Sequence, residues 1–305
     1  MKASLIYNIN RASILFGDWL MRFIAWWIAT GYFFLRPERL KSSLQLYKNI
    51  FPDKTRRHYF YYAWRQFHGF ASCYSDRIRL AKGMGLSIIV EGREHVLKAA
   101  EEGGGGIIIT SHLGSYEVAA SAFTELGLKL MIMMGEKEAK QVARQQRESL
   151  ESRKIIIQVS SLEEVSPLSG LEALKFLRDG GFVSFAGDIV WTDPRFQIPV
   201  RLFGHEVKIP SAPYLLGMIS GSPVFSLFTS RLGKGEYKIA ISPLPLVSPS
   251  SRADRKAAIQ ASAQKYADAL EKAIRSYPYQ WYVFEPIFLG YSNEAGNQRS
   301  FDDRC

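Results

Sequence analysis

The sequence predicts an α/β fold, a largely parallel central sheet flanked by helices, carried behind an N-terminal helical, membrane-anchoring extension. Three observations lead there. Short β-branched runs alternate with helical stretches from about residue 87 onward, as repeated strand–helix units do. The chain has 305 residues, of which 47% are apolar, enough to bury a substantial core and too many for a disordered, collagenous or coiled-coil protein. Finally, the first 82 residues lack that alternation and read as helix, rich in aromatic side chains and then in positive charge.

Taken in order, residues 23–35 form an uncharged run of 13 residues, shorter than the roughly 20 needed to span a bilayer. The aromatic residues Trp19, Trp26, Trp27, Tyr32, Phe33 and Phe34 suit a membrane interface. The segment is read as a retained anchor that either tilts across the bilayer or lies in its surface. It has no small-residue cleavage site before Arg36-Pro37, which argues against a signal peptide. From Arg36 to Arg57 seven basic residues face two acidic ones, a balance that suits an anionic membrane surface. Helical pattern continues from about 37 to 82.

Residues 87–90 then read as a strand, 94–102 as a helix and 107–110 as a strand after the Gly103–Gly106 turn. A helix at 115–126, a strand at 129–134, a helix at 137–152 and a strand at 154–159 follow. Next come a helix at 169–178, a strand at 182–186 and a helix at 210–220. Strands at 223–230 and 237–241 flank a Gly-Lys-Gly turn, a helix runs from 252 to 276, and the tail from 293 is polar. These elements divide the chain into an anchor and helical extension (1–82), one catalytic domain (83–292) and a polar tail (293–305).

The stretch Ile107-Ile108-Ile109-Thr110-Ser111-His112-Leu113-Gly114-Ser115-Tyr116-Glu117 concentrates the chemistry. It ends a buried strand with a histidine and opens a helix with a carboxylate, at the strand edge where open α/β sheets bind ligands. Histidine accepts a proton near neutral pH when a carboxylate fixes its tautomer, and a turn at Gly114 can fold Glu117 back to do so. His112 is accordingly the candidate general base and Glu117 its candidate orienter. The substrate supplies the nucleophile, and backbone amides around Gly114 or a basic side chain stabilise the oxyanion. No Gly-x-Ser-x-Gly elbow offers a serine nucleophile. His58, His68, His95 and His205 show no metal-ligand spacing with one another or with Cys73, so neither metal nor cofactor is expected. A net charge of +10 is scattered among acidic residues without a stacking motif, which speaks against nucleic acid.

With its His-x4-acid at a strand end, the chain resembles the glycerolipid and lysophospholipid acyltransferase superfamily, and within it the bacterial lipid A biosynthesis acyltransferases that add lauroyl or myristoyl chains. Phe185-Ala186-Gly187-Asp188 is similar to that family's second acidic motif. Val200-Arg201-Leu202-Phe203-Gly204-His205 with Ile209-Pro210-Ser211-Ala212-Pro213, and Gly221-Ser222-Pro223-Val224, resemble two further segments in the right order. The resemblance implies a fatty acyl transfer from acyl carrier protein or acyl-coenzyme A to a membrane lipid acceptor, by a protein read as a monomer on the cytoplasmic face of the bacterial inner membrane. It also places Asp188 near the site, and makes Arg201 a candidate for phosphate. The family's arginine after the third strand is replaced here by Gly135-Glu136-Lys137, so its role either falls to Lys137 or Arg144 or is absent. Trp281-Tyr282-Val283-Phe284 lacks the basic cluster of the lipid A enzymes, which leaves an aminolipid, phospholipid or pigment open as acceptor. A non-enzymatic membrane-docking protein is the alternative outside the family.

Overall fold

The computed structural model describes residues 18–81, 83–135, 148, 150–160, 167–190, 196–246, 249, 251 and 253–288. Three helices lead: α1 (Asp18–Leu35), α2 (Pro37–Ile50) and α3 (Arg56–Ala81). The α/β portion follows in the order β1 (Ser87–Glu91), α4 (Arg93–Glu101), β2 (Gly106–Thr110), α5 (Tyr116–Glu125), β3 (Leu130–Gly135) and β4 (Ile156–Ser160). It continues through α6 (Pro167–Arg178), β5 (Phe182–Ala186), β6 (Gln197–Leu202), β7 (His205–Pro210) and α7 (Ala212–Ser220). Strands β8 (Val224–Gly233) and β9 (Glu236–Pro243) and the long α8 (Arg255–Ser276) complete it. The expected helix at 137–152 lies mostly outside the described residues.

Seven strands form one sheet in the order β1-β9-β8-β2-β5-β3-β4. The five from β8 to β4 are mutually parallel, while β9 runs antiparallel to β8 and β1 parallel to β9. The sheet is therefore largely parallel, with one reversed edge. Successive side chains of a strand point to opposite faces. Ile107 and Ile109 of β2 accordingly join one core cluster, with Val183, Tyr266 and Trp281, and Ile108 joins the other, with Phe123, Phe182 and Ile239. Burial of both faces explains the unbroken isoleucine run of β2, the pattern of a central parallel strand.

Sequence periodicity misses one feature: Gln197–Pro210, a stretch given no strand in the sequence reading, forms a separate antiparallel hairpin. Ile198, Val200 and Leu202 alternate inward, as do Val207 and Ile209. Pro199 and Pro210 obscure that alternation, because proline is confined to edge positions in sheets. The Phe203-Gly204 turn has φ values of 52° and 78°, both in the left-handed region that two-residue hairpin turns require.

Helix α1 is pinned to α3 by aromatic contacts. Phe33 is buried and meets Trp64 and Phe67 edge-on, with ring centroids 5.2 and 5.4 Å away, and Trp26 meets Trp64 at 6.0 Å. On the opposite side α1 exposes Trp19, Phe23 and Trp27, spaced four residues apart along one helix face. Among the described residues no helix is long and apolar enough to cross a membrane. Truncating a buried Phe removes about 3–5 kcal/mol of packing. Phe33→Ala should therefore accelerate amide hydrogen exchange throughout α1 while leaving β2 protected, a pattern read directly by exchange mass spectrometry.

Candidate active site

The sheet register builds the site. Strands β2 and β5 are neighbours and parallel, and Thr110 pairs with Ala186 at their carboxyl ends. His112 and Asp188 each lie two residues beyond that pair, so the two loops deliver them to the same height. Gly187 makes the approach possible. Its amide donates to Thr110 O at 2.8 Å, and a Cβ there would stand 2.3 Å from Ile109 and 2.8 Å from the Tyr266 ring. The Tyr266 hydroxyl donates to the same Thr110 carbonyl at 2.6 Å, tying α8 to the strand end.

Asp188 is buried and receives three donors. Its Oδ1 accepts from His112 Nδ1 at 2.9 Å, and its Oδ2 accepts from the His112 backbone amide at 2.8 Å and from Trp281 Nε1 at 2.7 Å. An ionised carboxylate can only accept, so His112 carries its proton on Nδ1 and the basic lone pair sits on Nε2. Burial alone would raise the Asp188 carboxyl, but the His112 charge and the hydrogen bonds from His112 and Trp281 outweigh it and hold the group below the usual carboxylate range.

The sequence reading assigned the orienting role to Glu117, and here the structure differs. Glu117, buried in the first turn of α5, has its Oε1 3.8 Å from Arg77 Nη1 on α3. Arg77 also donates from Nε to Ser115 Oγ at 3.3 Å and lies 5.3 Å from the centre of the Tyr116 ring. Burial pushes the Glu117 carboxyl up, against the pull of Arg77, Tyr116 and Arg153. In this arrangement Glu117 joins a clamp that fixes the start of α5, while the carboxylate on the histidine comes from 76 residues downstream.

Gly114 also serves otherwise than expected. Its amide donates to Gln280 O at 2.9 Å, the Leu113 amide to Ser111 Oγ at 3.3 Å and the His112 amide to Asp188, so the three amides of this turn are engaged. What Gly114 supplies is shape: its φ is 72°, and a Cβ would lie 2.2 Å from the Thr229 carbonyl oxygen. Arg201 lies on β6 with its side chain exposed and its backbone held from both sides by Gln264, and it does not line the His112 cavity. Lys137 and Arg144 lie outside the described residues.

Two contributors escape sequence reasoning. Trp281 is fully buried, bridges Leu113 and delivers the indole N–H to Asp188. Gln66 of α3 in turn donates to Trp281 O at 2.6 Å. A Trp in an apolar stretch gives no hint of a polar task, and only strand order reveals what it meets. His112 lines a small cavity of about 40 Å³ with the apolar Ile108, Ala120, Phe123, Ile132 and Leu227 and the polar Thr110, Ser111 and Ser184.

Fold and site together describe an α/β protein with a carboxylate-paired histidine at the ligand-binding edge of its sheet. Over residues 18–289 the chain matches the family of bacterial lipid A biosynthesis acyltransferases, and it belongs to that family. It is an acyltransferase enzyme, acting in acyl transfer to a lipid acceptor. No curated protein matches the chain in sequence.

Two outcomes follow. Ala at position 114 meets both the backbone clash and an unfavourable φ, so Gly114→Ala should lower stability by at least about 1–3 kcal/mol, read from urea unfolding. Asp188 binds fewer protons folded than unfolded. Its contribution to stability is therefore full above the unfolded value near ~4 and is lost as pH falls through the lower folded value. Glu117, with a raised value, has the opposite sign: stability from it declines as pH rises through the window between its unfolded and folded values. Unfolding midpoints measured between pH 3 and 6 should fall less steeply on the acid side in Asp188→Asn than in the native protein or in Glu117→Gln.

Proposed function

We propose that the protein transfers a fatty acyl group from an acyl thioester, acyl carrier protein or acyl-coenzyme A, to a hydroxyl of a lipid A precursor or related glycolipid. The observation that carries this reading is the His112 Nδ1–Asp188 contact at 2.9 Å, beside a small, largely apolar cavity. Nε2 of His112 takes the proton of the acceptor hydroxyl as its oxygen attacks the thioester carbonyl carbon. Asp188 stabilises the imidazolium so formed. The tetrahedral intermediate collapses by breaking the carbon–sulfur bond, and the imidazolium returns its proton to the departing thiolate. No acyl-enzyme is required. With the amides of residues 112–114 engaged, oxyanion stabilisation falls to a basic side chain, for which Lys137 and Arg144 are the candidates.

The acceptor reaches the site from the membrane. Helix α1 lies in the surface of the cytoplasmic leaflet of the bacterial inner membrane, with Trp19, Phe23 and Trp27 in the interface. The basic residues from Arg36 to Arg57 meet the anionic headgroups. An acidic carrier protein is a complementary donor for a chain of net charge +10.

The test is mass spectrometry of total lipids from cells with and without the protein. A lipid heavier by one fatty acyl group, seen only with the active protein, is the expected result, and it names acceptor and chain length together. His112→Ala should reduce that product about 100-fold or more, and Asp188→Asn comparably, with both variants folded. Full turnover by folded His112→Ala would sink the assignment.

A further inference from the structure

The cavity beside His112, at about 40 Å³, has room for a few water-sized groups rather than for a long acyl chain. Three aliphatic hydroxyls line it, on Thr110, Ser111 and Ser184. They differ in where their protons go. Thr110 donates to Phe185 O at 3.1 Å. Ser111, which is 7% exposed, accepts the Leu113 amide at 3.3 Å and donates to no described residue. Ser184, also buried, makes no hydrogen bond among the described residues. A hydroxyl that accepts through its oxygen keeps its proton for another partner, and a buried donor left without one is costly.

Strand register separates the two serines. Ser184 pairs with Ile108, two residues short of the Thr110–Ala186 pair that ends the strands, so it sits about 6.5 Å deeper along β5. Ser111 stands between Thr110 and His112, at the level of the base. The backbone amides of residues 112, 113 and 114 are all engaged, so this hydroxyl is the neutral donor that the turn has left to offer. Ser111 Oγ makes no hydrogen bond to the His112 ring, so the base does not activate it as a nucleophile.

We propose that Ser111 is a further catalytic residue, whose hydroxyl donates a hydrogen bond to the oxyanion of the tetrahedral intermediate from the rim of this cavity. The proposal rests on the acyl-transfer reading and adds a neutral donor to the basic side chain named there. As the acceptor oxygen bonds to the thioester carbon, the carbonyl π pair moves onto the carbonyl oxygen, and Ser111 Oγ–H holds that oxygen without giving up its proton. On collapse the carbonyl re-forms, the carbon–sulfur bond breaks, and the thiolate takes its proton from His112.

The test follows carbon-14 lauroyl from lauroyl-coenzyme A or lauroyl-acyl carrier protein into the lipids of membranes prepared from cells lacking the protein. Ser111→Ala should lower kcat about 10- to 100-fold with the KM for the thioester unchanged, because the bond forms only with the oxyanion. Ser111→Thr, which keeps a hydroxyl, should recover most of the rate. Ser111→Val, equal to Thr in shape, should not, and this pair serves if the Ala variant fails to fold. The nitrogen-15 imidazole spectrum of His112 in Ser111→Ala should match the wild type, which a loss of the turn would not permit. Wild-type kcat in folded Ser111→Ala, or a loss seen as a raised KM or with an altered His112 spectrum, would overturn the assignment and leave acyl transfer standing. No label transferred by the wild type from either donor would overturn the acyl-transfer reading and the assignment with it.

Discussion

A carboxylate buried in a protein interior is tolerated only when its oxygens are matched by donors, and Asp188 is matched three times. Those donors come from different parts of the fold. The imidazole and the amide of residue 112 belong to the loop after β2, and the indole belongs to the segment after α8. Satisfying one charge thus fixes three segments against one another, and at the same time fixes which nitrogen of His112 can accept a proton. Removing any donor would leave a buried charge underpaired, so the bonds that hold these segments together also set the state of the ring.

Around this centre the N-terminal helices act as a brace. Gln66 of α3 holds the backbone of the Trp281 segment, and Arg77 of α3 holds Ser115 and Glu117 at the start of α5. The α5 end of the His112 loop and the Trp281 segment are therefore referred to one helix. That helix also carries α1 through Trp64 and Phe67, so the element with the exposed apolar stripe is mechanically continuous with the site.

The positions of most strands and helices were legible in the sequence because their signals are local. The isoleucine run of β2, the glycine turn between β8 and β9 and the periodicity of α8 can be read within ten or twenty residues. Strand order is not local, and it decided the site. Glu117 stands five residues from His112 and invites the pairing, whereas Asp188 reaches the ring only because β5 inserts next to β2 in parallel register. The family motif around Gly187-Asp188 marked the residue as important without giving its task. The β6–β7 hairpin did carry a readable alternation at Ile198, Val200 and Leu202, masked by Pro199. Arg77 and Trp281 gave no signal at all, since a helix arginine and an apolar-context tryptophan each have ordinary roles.

If Asp188 sets the tautomer of His112, the protonation of the ring is directly observable. Nitrogen-15 imidazole spectra of the full chain, with the His112 signals assigned by their absence in His112→Ala, should show Nδ1 protonated and Nε2 bare near neutral pH. Asp188→Asn should shift the proton toward Nε2, and Glu117→Gln should leave the pattern unchanged. A His112 ring protonated on Nε2 in the native protein, or a tautomer that responds to Glu117→Gln and ignores Asp188→Asn, would contradict the account.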